Sequence, residues 1–333
     1  MLDKYMFALG RGVRSAVNAY KETQREPEPD PERARDVTPP RRAEPAPPAP
    51  PALHDAGPAI GAPLVWRGRT LLMGVVNVTP DSFSDGGRYV DPADAIRHGA
   101  ALARDGADIL DVGGESTRPG AAPVDVEEEI ARVAPVVRAL VRETGLPVSI
   151  DTMKARVAMR ALAAGATIVN DVWGLQHDPD MARVVADAGV HVVVMHNRLK
   201  DDPAVDIYAE VRDFLRRSVD LALAAGVRRD RIVVDPGVGF GKTHAQSFEL
   251  IRRLGELRAD LGLPILLGAS RKRCIGVASG VSVAADRVAG SVAAHLFGAI
   301  AGADIVRAHD VAAHRQALDT LAAIQGQPPE RSA

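Results

Sequence analysis

The stretch DGADILDV (105–112) decides the fold, because its pattern recurs along the chain. It closes a helical segment with Gly-Ala and continues into a short aliphatic run, which is typical of a helix-to-strand turn. Related junctions are AGATIVNDV (164–172), DAGVHVVV (187–194), AGVRRDRIVVD (225–235), LGLPILLG (261–268) and AGADIVRAHD (301–310). Working outward from them, we expect strands at about 70–79, 108–116, 147–152, 167–173, 191–197, 231–238, 264–270 and 304–309.

Amphipathic segments separate these runs. Apolar residues recur there at helical spacing, as in Val126, Ile130, Val133, Val137 and Leu140, and again in Phe248, Ile251, Leu254 and Leu257. The strands are nearly continuous apolar runs, which indicates a parallel sheet covered on both faces. The evenly spaced βα units predict an α/β fold, a (β/α)8 TIM barrel, with a doubly wound open sheet as the alternative.

The prolines set the domain boundaries. Of the 24 prolines in this 333-residue chain, 12 lie between Pro27 and Pro63. Such a stretch lacks backbone donors and large apolar side chains, so we expect residues 1–63 to be a disordered N-terminal arm. The barrel domain is then predicted at 64–326, with a disordered tail at 327–333.

Composition excludes several classes of protein. The chain is 46% hydrophobic and 25% charged, the balance of a globular protein. A net charge of −2 argues against a nucleic-acid partner, and no apolar stretch is long enough to span a membrane. The single cysteine, Cys274, excludes a disulfide framework or a CxxC site, so we expect a cytoplasmic protein.

Polar residues stand at the end of every predicted strand. They are Asn77; Glu115 and Thr117; Asp151; Asn170 and Asp171; His196 and Asn197; Asp235; Ser270, Arg271 and Lys272; Arg307 and His309. Any one of them alone is explained as a helix cap or a turn residue. Because strand ends of a barrel converge on one rim, the recurrence on all the strands indicates a functional site there.

The residue types at this rim divide by chemistry. One set, suited to a flat nitrogen-rich heterocycle, is Asp151, Asn170, Asp235 and Lys272. A second set, suited to phosphate oxygens, is Asn77, Arg118, Arg307 and His309 together with the turn Ser270–Lys272.

Several common catalytic and phosphate-binding motifs are absent from the sequence. The chain has no GxSxG, HExxH or CxxC motif, and DPGVGFGKT (235–243) fails as a phosphate loop because Pro236 replaces its first glycine. Its glycines are better explained by unusual backbone angles that let Phe240 and Lys242 lie beside a ligand.

Taken together, the motifs resemble the dihydropteroate synthase family. The matching segments are MGVVNVTPDSFSDGG (73–87), GGESTRPGA (113–121), SIDT (149–152), VNDV (169–172), MH (195–196), DPGVGFGK (235–242), SRK (270–272) and VRAHDV (306–311). They occur in family order over residues 70–326.

The resemblance implies that 6-hydroxymethyl-7,8-dihydropterin diphosphate condenses with 4-aminobenzoate, with Mg2+, in folate biosynthesis. It implies pterin binding by Asp151, Asn170, Asp235 and Lys272, with Arg307 stacked on the ring. It places the diphosphate near Asn77, Arg307 and His309, with Asn77 also helping to hold Mg2+. The aminobenzoate pocket would include Phe83, Thr117, Arg118, Pro119 and Phe240, completed by two loops that close over the site at 78–90 and 115–123. A homodimer and competition by sulfonamides are further expectations.

Two departures from the family pattern stand out. SRKR carries Arg273 where many members have a serine that helps hold the aminobenzoate carboxylate, so Arg273 either pairs with that carboxylate or points into solvent. MHNRLKDDPAVDIY (195–208) replaces a methionine-containing stretch, which weakens the case for His196 and Asn197. A pterin-binding methyltransferase and a non-catalytic paralogue remain as alternatives, although the intact STRPG and SRK motifs favour the synthase.

Overall fold

A computed structural model describes residues 69–79, 92–116 and 122–327, and it confirms the barrel. Its eight strands within those ranges are β1 Leu71–Asn77, β2 Ile109–Gly113, β3 Val148–Asp151, β4 Ile168–Asp171, β5 His191–Met195, β6 Ile232–Asp235, β7 Leu266–Leu267 and β8 Ile305–Ala308. All are parallel, in the order β6-β5-β4-β3-β2-β1-β8-β7, and a bridge between Val234 and Ile265 joins the two ends. The sheet therefore closes on itself, which excludes the open alternative.

Helices follow each strand. In the described part of the chain they are α1 Pro92–Arg104, α2 Val126–Thr144, α3 Ala155–Ala163, α4 Met181–Ala188, α5 Ile207–Ala224, α6 His244–Arg252, α7 Leu254–Leu261, α8 Arg273–Ser279, α9 Val288–Ile300 and α10 Val311–Ile324. Short 3-10 turns lie at Arg229–Arg231 and Ala284–Asp286.

Helix α2 shows why the sequence folds this way. The Asp125 carboxylate accepts a hydrogen bond from the backbone N–H of Glu127 at 2.8 Å, and so caps the helix that begins at Val126. Gly145 ends the helix in the left-handed region at φ 66°. Between these signals Val133, Val137 and Leu140 of the predicted apolar face are completely buried, and Val126 and Ile130 are partly buried against the same core.

The barrel has two separate cores. The larger core fills the space between the sheet and the helices. The smaller core lies inside the barrel and comprises Leu71, Met73, Ile109, Ile168, Val193, Val233, Leu266 and Ile305. Because side chains alternate along a strand, this inner apolar layer forms a floor on which the next inward-facing residues rest.

Several expectations fall outside the described residues. These are the disordered arm at 1–63, most of the tail, and the two loops around Phe83 and around Thr117, Arg118 and Pro119. Within the described ranges, no helix is long and apolar enough to cross a bilayer.

Candidate active site

A layer of polar side chains lies directly above the apolar floor of the barrel. Asp111, Asn170, Asp235 and Arg307 each follow a floor residue of the same strand by two positions, and Asp151 follows the buried Ser149 in the same way. A two-residue step in a strand keeps the side chain on the same face. Strand alternation therefore carries these five side chains into the barrel mouth.

Arg307 links two carboxylates in this layer. Its Nε donates to Asp111 Oδ2 at 2.6 Å and its Nη2 donates to Asp151 Oδ2 at 2.7 Å. The amide of Asn170 donates to the same Asp111 oxygen at 3.1 Å. Neighbouring carboxylates raise the pKa of Arg307 further above its usual value against the opposing effect of burial. The guanidinium is therefore a permanent cation in the barrel mouth.

Asp111 was missed by the sequence reasoning, which considered residues at strand ends. It lies in the middle of β2 and is completely buried. A carboxylate inside an otherwise apolar buried strand rarely occurs without a charged partner. That exception to the apolar pattern was the signal that could have identified Asp111.

Burial makes two carboxylic acids of this layer, Asp151 and Asp235, weaker acids. Burial raises the pKa of Asp151; the Arg307 guanidinium opposes this shift and the nearby Asp111 carboxylate reinforces it. Burial also raises the pKa of Asp235 to about 6, although its Oδ1 accepts the N–H of Gly237 at 2.7 Å. Asp151 Oδ1 is buried with no hydrogen-bond partner among the described residues. It is thus an acceptor for a donor-rich ligand.

Lys272 closes the layer from the β7 side. Its Nζ lies 3.8 Å from the centroid of the Phe240 ring, a cation–π contact. Burial lowers the pKa of Lys272 to about 8, so its ammonium form still predominates at neutral pH. The predicted heterocycle set, Asp151, Asn170, Asp235 and Lys272, is therefore drawn together at one mouth of the barrel.

The loop after β6 depends on its glycines. Gly237 and Gly241 have φ of 66° and 57°, and a Cβ at either position would collide with a backbone carbonyl of the segment after β5. This agrees with the interpretation from the sequence. Lys242 is buried in contacts with the protein: its Nζ lies 2.8 Å from His196 Nδ1 and donates to the Phe240 carbonyl at 2.9 Å. It fixes the loop that carries Phe240.

Ser270 and His309 form a pair at the ends of β7 and β8. The Ser270 hydroxyl oxygen accepts the backbone N–H of His309 at 3.1 Å and lies 3.0 Å from the ring nitrogen Nδ1. Burial, helped by Arg307, lowers the pKa of His309 to about 3. The imidazole is therefore neutral. In the tautomer whose Nδ1 accepts the serine proton, Nε2 carries the hydrogen and can donate it to an anion without adding a charge.

The remaining predicted residues are placed as follows. Asn77 ends β1 and is half-buried, opposite Gly113 of β2. His196 is completely buried against Lys242, and Arg273 is exposed at the start of α8. Phe83, Thr117, Arg118 and Pro119 lie outside the described residues.

Comparisons with known proteins agree with this geometry. The pterin binding enzyme family matches residues 73–309. A dihydropteroate synthase of Clostridium beijerinckii is 46% identical over 244 residues, which cover 73% of this chain and 90% of that protein.

Two solved structures of Xanthomonas albilineans dihydropteroate synthase are similar in fold. The structure with 4-aminobenzoic acid is 49% identical with a TM-score of 0.75, covering 78% of this chain and 94% of the other. The structure in complex with 7,8-dihydropteroate is 47% identical with a TM-score of 0.73, covering 80% and 97%.

Proposed function

This chain belongs to the dihydropteroate synthase family of pterin-binding enzymes, and we infer from that membership what its barrel mouth does. It condenses 6-hydroxymethyl-7,8-dihydropterin diphosphate with 4-aminobenzoate, giving 7,8-dihydropteroate and diphosphate, a transferase step of folate biosynthesis. The observation that carries this conclusion is the similarity, over nearly the whole barrel, to a chain solved with 7,8-dihydropteroate.

We propose that the polar layer binds the pterin. Asp151 and Asp235 present carboxylate oxygens to the ring N–H groups, and the Asn170 amide pairs with a further edge. The orphaned Asp151 Oδ1 supports this assignment, since a pterin N–H supplies its missing donor. Lys272, beside Phe240, supplies the ammonium donor at the opposite side.

The reaction needs no protein nucleophile. The amine nitrogen of 4-aminobenzoate attacks the pterin methylene carbon, the carbon–oxygen bond breaks, and diphosphate leaves with the electron pair. The attacking nitrogen then loses one proton to solvent. Arg307 stabilises charge on the leaving diphosphate, because its guanidinium is held in place before the reaction by Asp111 and Asp151. His309 and Ser270 add neutral hydrogen bonds, while the carboxylates stabilise positive charge on the pterin.

Mg2+ is proposed as the metal. The described residues contain no cluster of three His, Cys, Asp or Glu side chains able to hold an ion by themselves. A site with few protein ligands fits Mg2+, because this ion commonly binds through one or two protein oxygens and completes its coordination with waters and substrate phosphates. Asn77 would supply its side-chain carbonyl oxygen from the end of β1. When bound, Mg2+ would neutralise charge on the diphosphate.

The aminobenzoate pocket is proposed to combine Phe240 with Phe83, Thr117, Arg118 and Pro119. Sulfonamides resemble 4-aminobenzoate and are expected to compete for that pocket. Arg273 is exposed at the start of α8, in agreement with the interpretation that it points into solvent.

A cytoplasmic homodimer is proposed as the working form of the enzyme. Helices α8 and α9 expose the apolar side chains Val277, Phe297 and Ile300, which are 59%, 49% and 65% exposed. Exposed large apolar side chains are common at contact surfaces, and a second copy of the chain is proposed to cover these. Sedimentation of the full chain tests this proposal: a dimer is expected, and a monomer that persists at high concentration would contradict it.

The function is tested by mixing purified protein with the pterin diphosphate and 4-aminobenzoate, with and without Mg2+. Formation of dihydropteroate only in the complete mixture is expected. Product without added metal, in the presence of a chelator, would remove Mg2+ from the proposal. Failure to form product under any of these conditions would contradict the assigned activity.

A further inference from the structure

The turn between β7 and α8 has an unusual backbone. Arg271 has a φ of 59°, a left-handed conformation that long side chains seldom adopt. The turn is closed by the Lys272 N–H, which donates to the Ala269 carbonyl at 3.3 Å. Strain of this kind persists only where surrounding contacts hold it, and it is common at functional sites.

Three side chains hold Arg271 in this conformation. Its N–H donates to the Ser291 hydroxyl at 2.9 Å, and Arg287 Nη1 donates to its carbonyl at 3.0 Å. Its own guanidinium forms a bidentate ion pair, called the fork below, with Asp310: Nε donates to Oδ2 at 3.0 Å and Nη2 donates to Oδ1 at 2.5 Å. The ion pair ties the turn to the residues that follow β8.

The ion pair lies between the residues proposed to bind substrate. Arg271 stands between Ser270 and Lys272, and Asp310 directly follows His309. The contact of Ser270 with His309 spans the same gap. The relative position of these groups therefore depends on the two chain segments staying in register, which a bidentate pair enforces better than a single hydrogen bond.

We propose that Arg271 and Asp310 form a clamp that positions the diphosphate-binding groups, and that Arg271 is not itself a ligand of the substrate. This inference rests on the proposed function. Nε and Nη2 of Arg271 both donate to Asp310, which commits this edge of the guanidinium to the ion pair. The clamp thus acts through Ser270, Lys272 and His309.

The test compares Arg271→Ala, Asp310→Asn, the double variant and Arg271→Gly. Turnover gives kcat and KM for each substrate, calorimetry gives the Kd of inorganic diphosphate, and thermal denaturation reports folding. Arg258→Ala is the matched control, because Arg258 forms a similar fork with Asp304 before β8, on the opposite end of the barrel.

Arg271→Ala and Asp310→Asn should each lower kcat/KM for the pterin diphosphate about tenfold and weaken diphosphate binding similarly, with the double variant no worse than either. Arg271→Gly should melt higher than Arg271→Ala, since glycine accepts the backbone angle, without regaining activity. The control should keep both activity and diphosphate affinity.

Each contrary result has a distinct meaning. If Asp310→Asn stayed fully active while Arg271→Ala lost activity, Arg271 would be a direct ligand and the clamp would be wrong. Full activity of Arg271→Gly would reduce Arg271 to a turn residue. A wild-type protein that binds diphosphate but forms no dihydropteroate would contradict the proposed function alone, because the diphosphate measurements would still decide the clamp.

Discussion

Asp111→Asn is the perturbation that most sharply tests how the site is organised. The substitution keeps the shape of the side chain and removes its charge from Arg307, 2.6 Å away. At an effective dielectric constant of about 20, unit charges about 4 Å apart attract by about 4 kcal/mol. Removing a completely buried carboxylate also removes a desolvation cost of several kcal/mol.

These two effects oppose each other, and Arg307 keeps its bond to Asp151. The free energy of unfolding should therefore change by less than about 2 kcal/mol. Activity should suffer more, because a guanidinium with one anchor lost is misplaced by a fraction of an ångström or more. We expect kcat to fall by about tenfold to 100-fold.

The pH profile provides a second readout. The negative charge of Asp111 contributes to the raised pKa of Asp151, so the substitution should lower that pKa. If the pterin binds the carboxylate form, the acid limb of kcat/KM for the pterin diphosphate should move to lower pH. Glu127→Gln, on an exposed ion pair, is the control. Unchanged turnover together with an unchanged profile would refute the role given to Asp111.

Three further predictions concern stability. The folded-state pKa of Asp235 is about 6, above the usual 3.8, so folding favours its protonated form. Relative to Asp235→Asn, the unfolding free energy of the ligand-free wild type should fall by about 2 kcal/mol as the pH rises from about 4 to 7. Denaturant titrations that show no such slope would contradict this prediction. Lys154→Met leaves the completely buried Glu129 without its cation and should lower the free energy of unfolding by about 3–5 kcal/mol. Arg156→Met, which breaks an exposed ion pair, should lower it by less than about 1 kcal/mol. Equal losses in the two variants, measured by thermal or chemical unfolding, would contradict this prediction. Gly237→Ala places a Cβ against a backbone carbonyl, at a residue whose φ is 66°. The substitution should therefore weaken pterin binding, measured by calorimetry, and lower the melting temperature. A variant that binds and melts normally would be evidence against the loop geometry.

Much of the architecture could be predicted from the sequence because buried parallel strands and helix-ending glycines are local signals. The expected strands all formed, generally one to three residues shorter at their ends. The largest difference is β7, expected at about 264–270 and observed at Leu266–Leu267. The expected last residues of this strand lead instead into the strained turn at Arg271. The conformation of that turn depends on contacts with residues distant in sequence, namely Ser291, Arg287 and Asp310.

The chemistry of the site was less predictable, because charge depends on neighbours. His309 is expected to help stabilise charge on the diphosphate; because burial lowers its pKa, with help from Arg307, it would do so as a neutral hydrogen-bond donor and not as a cation. Asp111 was overlooked because it lies within a strand, and the contact of Lys242 with His196 joins residues that are far apart in the sequence. Residue type shows which groups are present, whereas pairing and burial decide which of them are charged.

Turnover by Arg307→Ala tests the central claim most directly, namely that a preorganised guanidinium stabilises the departing diphosphate. The measurement is kcat on folded protein, with melting temperature and pterin affinity recorded alongside, since Asp111 and Asp151 lose their shared cation. A fall in kcat on the order of 100-fold or more is expected. A folded Arg307→Ala protein with near-full turnover would contradict it.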